Sequence, residues 1–327
     1  MSAMPTFSII VLNYKSEAWL GRCLDALAAF KVEVILADNG SPGFDAGDWQ
    51  RRYPAVKVLP FDSNLGFAAG NNRAAEQATG DWLGFINPDA FAEAGWLAAM
   101  QSAIAAYPDV ALFTSLQRMA REPSRLDGAG DGMTFFGFPF RMGYGRPVPA
   151  GLRPADVFAP CGAAFMIRRD VWQTLGGFDA SFFTYCEDAD LGFRARLLGH
   201  RCLFIPDAVV DHVGSAVLGV RSDFALYHGY RNRVWLYLKN MPAIVLWPTL
   251  PLHIGLTLFG ALSDTLKGKG GIVWKALADA LSGLGPILRA RKNIMASKRI
   301  EALRLAALLT WNPRKILTRD LDHRRLP

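Results

Sequence analysis

Cysteine is scarce in this sequence of 327 residues. Cys23, Cys161, Cys186 and Cys202 are scattered, with no C-x-x-C pair among them. Such usage excludes a disulfide scaffold, argues against a zinc site and fits a reduced, cytosolic setting. A leader is also missing: residues 1–6 are a short lead-in and an apolar run starts at Phe7, so no secretory signal peptide is expected. No internal repeat is apparent. Charge is absent from residues 240–263, which hold no Asp, Glu, Lys or Arg. Acid is rare after residue 212. Residues 213–327 carry 18 Lys/Arg against 6 Asp/Glu, whereas residues 1–212 carry 18 against 23. The basic residues of the last third alternate with Leu, Ile and Trp, which favours anionic lipid head groups over nucleic acid as their partner.

What is present reads as an α/β chain. With 51% hydrophobic residues it can bury one substantial domain plus an appendage. Residues 7–12, 32–37, 56–59 and 82–86 are short apolar runs that predict buried strands. Between them, Ser16 is the expected cap of a helix carrying Trp19, Leu20, Cys23, Leu24 and Leu27 at helical spacing. Residues 66–79 predict a second helix, entered through a glycine turn. Alternating β and α with short turns implies a mostly parallel, Rossmann-like sheet with helices on both faces. Residues 117–157 break the pattern, being rich in Gly, Pro, Arg and aromatics. The stretch is too long for an ordinary connection and is read as functional or mobile. Strands are expected again at 163–168, 202–205 and 208–211, and helices at 170–175 and 188–198.

From Asp223 onward the chain predicts helices. Residues 240–263 are long enough to cross a bilayer. Pro242, Pro248, Pro251 and His253 argue against a simple spanning helix. The expectation is therefore helices lying in, or dipping into, a membrane surface. The division that follows is a catalytic domain over 1–220, with 117–157 as its insert, and a basic helical region over 221–327.

Candidate chemistry lies in four clusters at the ends of apolar runs: Asp38-Asn39-Gly40-Ser41, Asn87-Pro88-Asp89, Glu187-Asp188-Ala189-Asp190 and Asp211-His212. Parallel sheets gather strand ends at one crevice, so distant clusters meet there. A carboxylate at Asp38 suits a base or ribose, although Asp-Asn-Gly forms a turn unaided. The glycine turn of Asn64, Gly66, Phe67 and Asn71 opens a helix whose N–H groups suit anions or base edges. Asp89 is placed to bind Mg²⁺ or Mn²⁺, or simply to cap the helix that follows. Three acids at 187–190 include a candidate general base, although helix N-termini favour acids anyway. His212 is a metal ligand, a phosphate partner or a structural imidazole.

Together these residues resemble the family-2 glycosyltransferases. The match rests on Ile9-Ile-Val-Leu-Asn13-Tyr14, Asp38-Asn39-Gly-Ser41, Asn64-Leu-Gly66-Phe67-Ala-Ala-Gly-Asn71-Asn72, Asn87-Pro-Asp89, Gly176-Gly-Phe-Asp179, Glu187-Asp188-Ala-Asp-Leu191 and His212. Arg231-Asn-Arg-Val-Trp235 looks like the continuation found in the bacterial rhamnosyltransferase-like branch. The resemblance implies a GT-A fold and an inverting sugar transferase. It implies that Asn13, Tyr14, Asp38, Asn39, Asn64, Gly66, Phe67, Asn71, Asn87, Asp89 and Arg141 hold the nucleotide-sugar. Asp188 is then the likeliest base and Glu187 the second, while Asp190 orients the helix or binds acceptor. Asp89 and His212 are the implied metal ligands for Mg²⁺ or Mn²⁺. Asn87 replaces the first Asp of the metal motif, which leaves the site one charge poorer and puts metal dependence in question. The implied donor is dTDP-L-rhamnose, with UDP-sugars, including galactofuranose, as the alternative. The implied acceptor is a lipid-linked glycan at the cytoplasmic face of the inner membrane. A nucleotidyltransferase would need more basic residues than Lys15 near the first turn, and a catalytically inactive scaffold draws support only from Asn87. In the insert, the aromatic run 133–146 is read either as a lid whose faces stack on sugar, with Arg141 or Arg146 at the diphosphate, or as a hydrophobic plug or an oligomer contact.

Overall fold

The computed structural model describes residues 5–214 and 222–326. The boundary expected at residues 220–221 lies outside them. The first half alternates as expected: β1 (Phe7–Asn13), α1 (Glu17–Ala28), β2 (Glu33–Asp38), α2 (Ala46–Arg52), β3 (Val56–Pro60), α3 (Gly66–Ala75) and β4 (Trp82–Ile86). Then come β5 (Ala90–Ala92), α4 (Trp96–Ala106) and β6 (Leu112–Met119). The insert holds β7 (Glu122–Gly128), β8 (Asp131–Met133), β9 (Pro139–Arg141) and β10 (Ala155–Val157). Beyond it lie β11 (Ala164–Arg168), α5 (Arg169–Leu175), α6 (Glu187–Leu197) and β12 (Cys202–His212). The last third is α7 (Asp223–Asn240), α8 (Ala243–Asp264), α9 (Gly270–Ser282), α10 (Leu284–Ser297), α11 (Ala302–Ala307) and α12 (Pro313–Thr318).

The sheet runs β10-β12-β6-β11-β4-β1-β2-β3, with β5 on β12 and β7 on β6. Its β3-β2-β1-β4 part is parallel. Past β4 it becomes mixed, because β11 enters antiparallel between β4 and β6. Alternation along β1 explains the two covering layers. Ile9 and Val11 pack with α1 and α4 through Leu20, Leu24, Trp96 and Met100. Ile10 and Leu12 pack on the other face with α3, α5 and α6 through Ala68, Trp172 and Leu191.

The structure differs from the sequence reading in several places. Residues 117–157 form short strands rather than an irregular loop. Their pairing with β6 shifts register twice, which erases the period that a sequence reading needs. The two strands expected at 202–211 are one, bulged between Ile205 and Val209. Ser16 sits at the helix start, but its hydroxyl donates to the Tyr14 carbonyl instead of capping. α3 stops at Ala75, short of 79. α8 runs unbroken through Pro248 and Pro251. The carbonyls that these prolines free are those of Ile244 and Trp247, residues on the helix's exposed side, so the loss is cheap there. The break comes later, at Gly268, whose φ is 79°.

A third apolar cluster ties the last third to the rest. Met133, Phe158 and Phe193 pack with Trp235, Tyr237, Leu246, Ile287 and Leu305. α8 is mixed on its buried side and apolar on its exposed one. Val245, Leu246, His253 and Ala261 are buried, while Trp247, Phe259 and Leu262 are 67%, 72% and 56% exposed. By length and composition the helical stretch Ala243–Ser282 could cross a membrane.

Candidate active site

A cavity of about 830 Å³ opens at the ends of β1, β2 and β4. Register explains how its walls meet. Asn13 pairs with Asp38 across β1 and β2. His212 pairs with Ala90 across β12 and β5, which sets its ring beside Asp89. Tyr14, Asn39, Asn64, Gly66, Phe67, Asn87, Asp89, Arg141, Glu187, Asp188 and His212 all line the cavity.

Asn13, Asp38 and Asn71 stand behind the wall. Asn13 donates to one oxygen of Asp38 at 2.7 Å, and Ser41 N–H donates to the other at 2.8 Å. Asn71 donates to the Phe67 carbonyl. These side chains hold the two donor-side turns in shape. The same holds for the start of α3. Leu65 N–H donates to Asn39, Gly66 N–H to Asn64 and Ala68 N–H to the Phe183 carbonyl, so the turn does not present an open row of donors. Gly66 sits at φ +82°, and a Cβ there would lie 2.5 Å from the Phe183 ring.

The acidic cluster divides by helical position. Asp188, in the first turn of α6, accepts from Gly162 N–H at 2.9 Å and Ala189 N–H at 2.7 Å. Burial raises its carboxyl above the ordinary value. Glu187 is pushed up further by burial and by Asp188, and its Oε2 has no partner among the described residues. Asp190 faces the other way and is fully buried. Arg194, Lys239 and Asn240 hold it at 2.7–2.8 Å, which removes it from acceptor binding and makes it the helix's anchor. The segment feeding α6 is strained: Phe183, Tyr185 and Cys186 have φ of 64°, 68° and 69°. Asn232 of α7 clamps it, its amide nitrogen lying 2.8 Å from the carbonyl oxygens of Phe182, Thr184 and Tyr185.

In the same cavity His212 lies between two carboxylates. Its Nδ1 is 2.8 Å from Asp127 and its Nε2 3.3 Å from Asp89. Burial opposes the charged ring, yet bonds to Asp127 and Asp89 push it up to about 9. Asp127 also accepts from Arg141 at 2.8 Å. Asp211 points elsewhere and pairs with Arg118. Arg146 pairs with Asp320 and does not reach the cavity, contrary to one expectation for it. The aromatic run splits: Phe135 stacks on Trp311 and Phe138 meets His253, as a plug, while Phe140 faces the cavity. Asp127 and Asp131 were missed in the sequence. They end β7 and begin β8 in the run Asp127-Gly-Ala-Gly-Asp131, and acids bracketing glycines inside the aperiodic insert were their only signal.

The family model for Glycosyl transferase family 2 matches residues 8–176, just over half of the chain, and that for Glycosyl transferase family group 2 matches 132–277. The chain belongs to glycosyl transferase family 2. Its sequence is similar to the N-acetylglucosaminyl-diphospho-decaprenol L-rhamnosyltransferase of Mycobacterium tuberculosis. The two are 29% identical over 231 residues, which cover 62% of this chain and 75% of the relative. Its fold is similar to that of S. aureus TarS 1-349 in complex with UDP-GlcNAc, with a TM-score of 0.56 and 17% identity, covering 94% of this chain and 93% of that one. It is also similar to the mannosyltransferase PcManGT of Pyrobaculum calidifontis in complex with GDP-Man and Mn²⁺, with a TM-score of 0.52 and 17% identity, covering 90% and 86%. These likenesses establish the GT-A fold of the glycosyltransferase.

For a divalent metal, the donor chemistry of this glycosyltransferase fits in one respect and is thin in another. Asp89 and His212 converge at the cavity, and Asp127 bonds the far ring nitrogen, as carboxylates behind ligating histidines do. No cluster of three or more His, Cys, Asp or Glu suited to a metal occurs among the described residues. Two protein ligands leave the other positions to water and phosphate oxygens, the usual habit of Mg²⁺.

Proposed function

We propose that this glycosyltransferase inverts the anomeric centre as it moves L-rhamnose from dTDP-L-rhamnose to a hydroxyl of a lipid-linked glycan. The observation that carries this reading is Asp188. Its carboxylate lines the cavity, is aimed by two backbone N–H groups and shares that cavity with Asp89 and His212. In the proposed step Asp188 takes the proton from the acceptor hydroxyl while that oxygen bonds to the anomeric carbon. The bond from that carbon to the nucleotide diphosphate breaks, and its electron pair leaves with the diphosphate. The transition state has oxocarbenium character, by analogy with glycoside hydrolysis. Arg141, held by Asp127, faces the charge that builds on the leaving group. Asp89 and His212 would hold Mg²⁺ or Mn²⁺, which supplies counter-charge to the diphosphate when bound. Tyr14, Asn39, Asn64 and Phe67 bound the nucleotide end of the cavity in this scheme.

The mycobacterial relative's name supports both the rhamnosyl donor and the lipid-linked acceptor. A UDP-sugar donor is the second reading, favoured by the fold shared with a UDP-GlcNAc complex over 94% of the chain. The outer face of α8 and the basic residues around it support a seat on the cytoplasmic membrane surface.

Release of nucleoside diphosphate from dTDP-rhamnose, UDP-galactofuranose, UDP-glucose and GDP-mannose tests the reading, with Mg²⁺, Mn²⁺ or EDTA present. One preferred donor is expected, with turnover lost by about 100-fold or more in Asp188→Asn. Normal turnover in Asp188→Asn would overturn the base assignment. No binding of dTDP or UDP by calorimetry would overturn the enzyme.

A further inference from the structure

Three buried polar atoms on the cavity wall have no partner among the described residues: Asp131 Oδ1, Glu187 Oε2 and Arg233 Nε. The first two belong to acids already described. Arg233 is different. It projects from α7, with its guanidinium carbon 4.1 Å from the Phe138 ring centre and 4.8 Å from that of Tyr230. Burial pulls its basicity down, and the groups near it, Tyr230, Cys186 and Asp264, offset this only in part. The side chain is half-buried and bonds Tyr230, but its Nε is buried with no partner among the described residues, and such a donor is costly unless an acceptor arrives. Its planar fork, braced by two rings, suits phosphate oxygens.

Position says which anion. The cavity's other cation, the half-buried Arg141, pairs with Asp127 and lies within range of Asp131 and Asp188. Arg233 instead neighbours Cys186, the residue before the Glu187–Asp188 pair. Both cations thus lie near the proposed base, Arg141 within range of Asp188 itself and Arg233 beside Cys186, two residues before it. The cavity is also lined by Phe224, Leu226, Tyr230 and Asp264, the last residue of α8. Asp264 is flanked in sequence by Leu262 and Leu266, which are 56% and 90% exposed. We infer that Arg233 binds the diphosphate of the acceptor, between the sugar at Asp188 and a lipid chain lying along α8. This inference rests on the proposed lipid-linked acceptor.

The test compares two acceptors, GlcNAc joined to farnesyl through a diphosphate and the farnesyl glycoside of GlcNAc without it. The wild type should prefer the diphosphate acceptor in kcat/KM. Arg233→Gln should shrink that preference by about 10- to 100-fold, as expected for one charged hydrogen-bonding group. Arg233→Lys, which keeps charge and bulk, should shrink it less and carries the test if Gln at 233 fails to fold. An undiminished preference in a folded variant overturns the inference and leaves the lipid-linked acceptor standing. A rise in donor KM equal on both acceptors also overturns it, by assigning the cation to the donor's diphosphate. A wild type indifferent to the diphosphate overturns the acceptor reading itself, and the inference with it.

Discussion

Replacing Asn232 by Ala should disable the enzyme from behind the active site. Three non-glycine residues upstream of the base, Phe183, Tyr185 and Cys186, hold left-handed backbone. Each costs about 1–2 kcal/mol relative to ordinary geometry, so the segment stores several kcal/mol. Asn232 is fully buried and its amide meets three carbonyls of that segment. Two N–H hydrogens can make about two full hydrogen bonds, worth ~2 kcal/mol net. Removing them should shift the segment toward a relaxed form by about 30-fold, and kcat should fall by as much as that factor. The melting temperature should fall as well, since buried carbonyls lose their partners. Arg231 donates to the Phe182 carbonyl at 3.0 Å, so collapse of the segment should be partial. Initial rates of transfer beside a thermal melt provide the assay. A folded Asn232→Ala protein with kcat within twofold of wild type would refute the idea that this clamp sets the base.

Other outcomes follow from the same geometry. Gly162→Ala places a Cβ 2.7 Å from Asp188 Oδ2. It should cut kcat by about 10-fold or more with little change in melting temperature, because a displaced catalytic group costs rate steeply. Asp190 is held down to about 2, against burial, by Lys239 and Arg194. Its stabilisation is complete above the unfolded carboxylate value near 4 and disappears as pH falls through about 2. Acid melts should register that loss, about 2 kcal/mol, in wild type but not in Asp190→Asn, which lacks the titrating group. Deleting α8 to the end would strip Leu246, Ile287 and Leu305 from a shared core, so membrane binding is better tested by Trp247→Ser with Phe259→Ser. That double variant should stay folded and bind anionic liposomes less in flotation, and undiminished binding would refute the α8 surface.

Much of the fold was legible because β1, β2 and β4 are buried on both faces and therefore read as unbroken apolar runs. α1 was legible because one face carries its apolar residues at helical spacing. The insert was not legible, since strands of three residues with shifted register carry no period. Within the site, Tyr14, Asn39, Asn64, Asp89, Asp188 and His212 stood out as polar residues at the ends of apolar runs. Asp127 and Asn232 had no such marker. Their importance lies in what they touch: His212 for the one, strained carbonyls for the other.

Sequence by itself determined which residues are buried, where strands end and which acids open α6, because solvation and backbone propensity act locally. It also determined that the last third is basic and apolar. Only tertiary structure decided between neighbours of the same type. Asp188 meets the cavity while Asp190, two residues on, is locked to Lys239 and Arg194, since a helix turns about 100° per residue. Only tertiary structure set Asp127 behind His212, sent Arg146 to Asp320 and left Arg233 Nε on the cavity wall with no partner among the described residues. Those are relations between distant segments, fixed by sheet register and helix packing, and no local pattern encodes them.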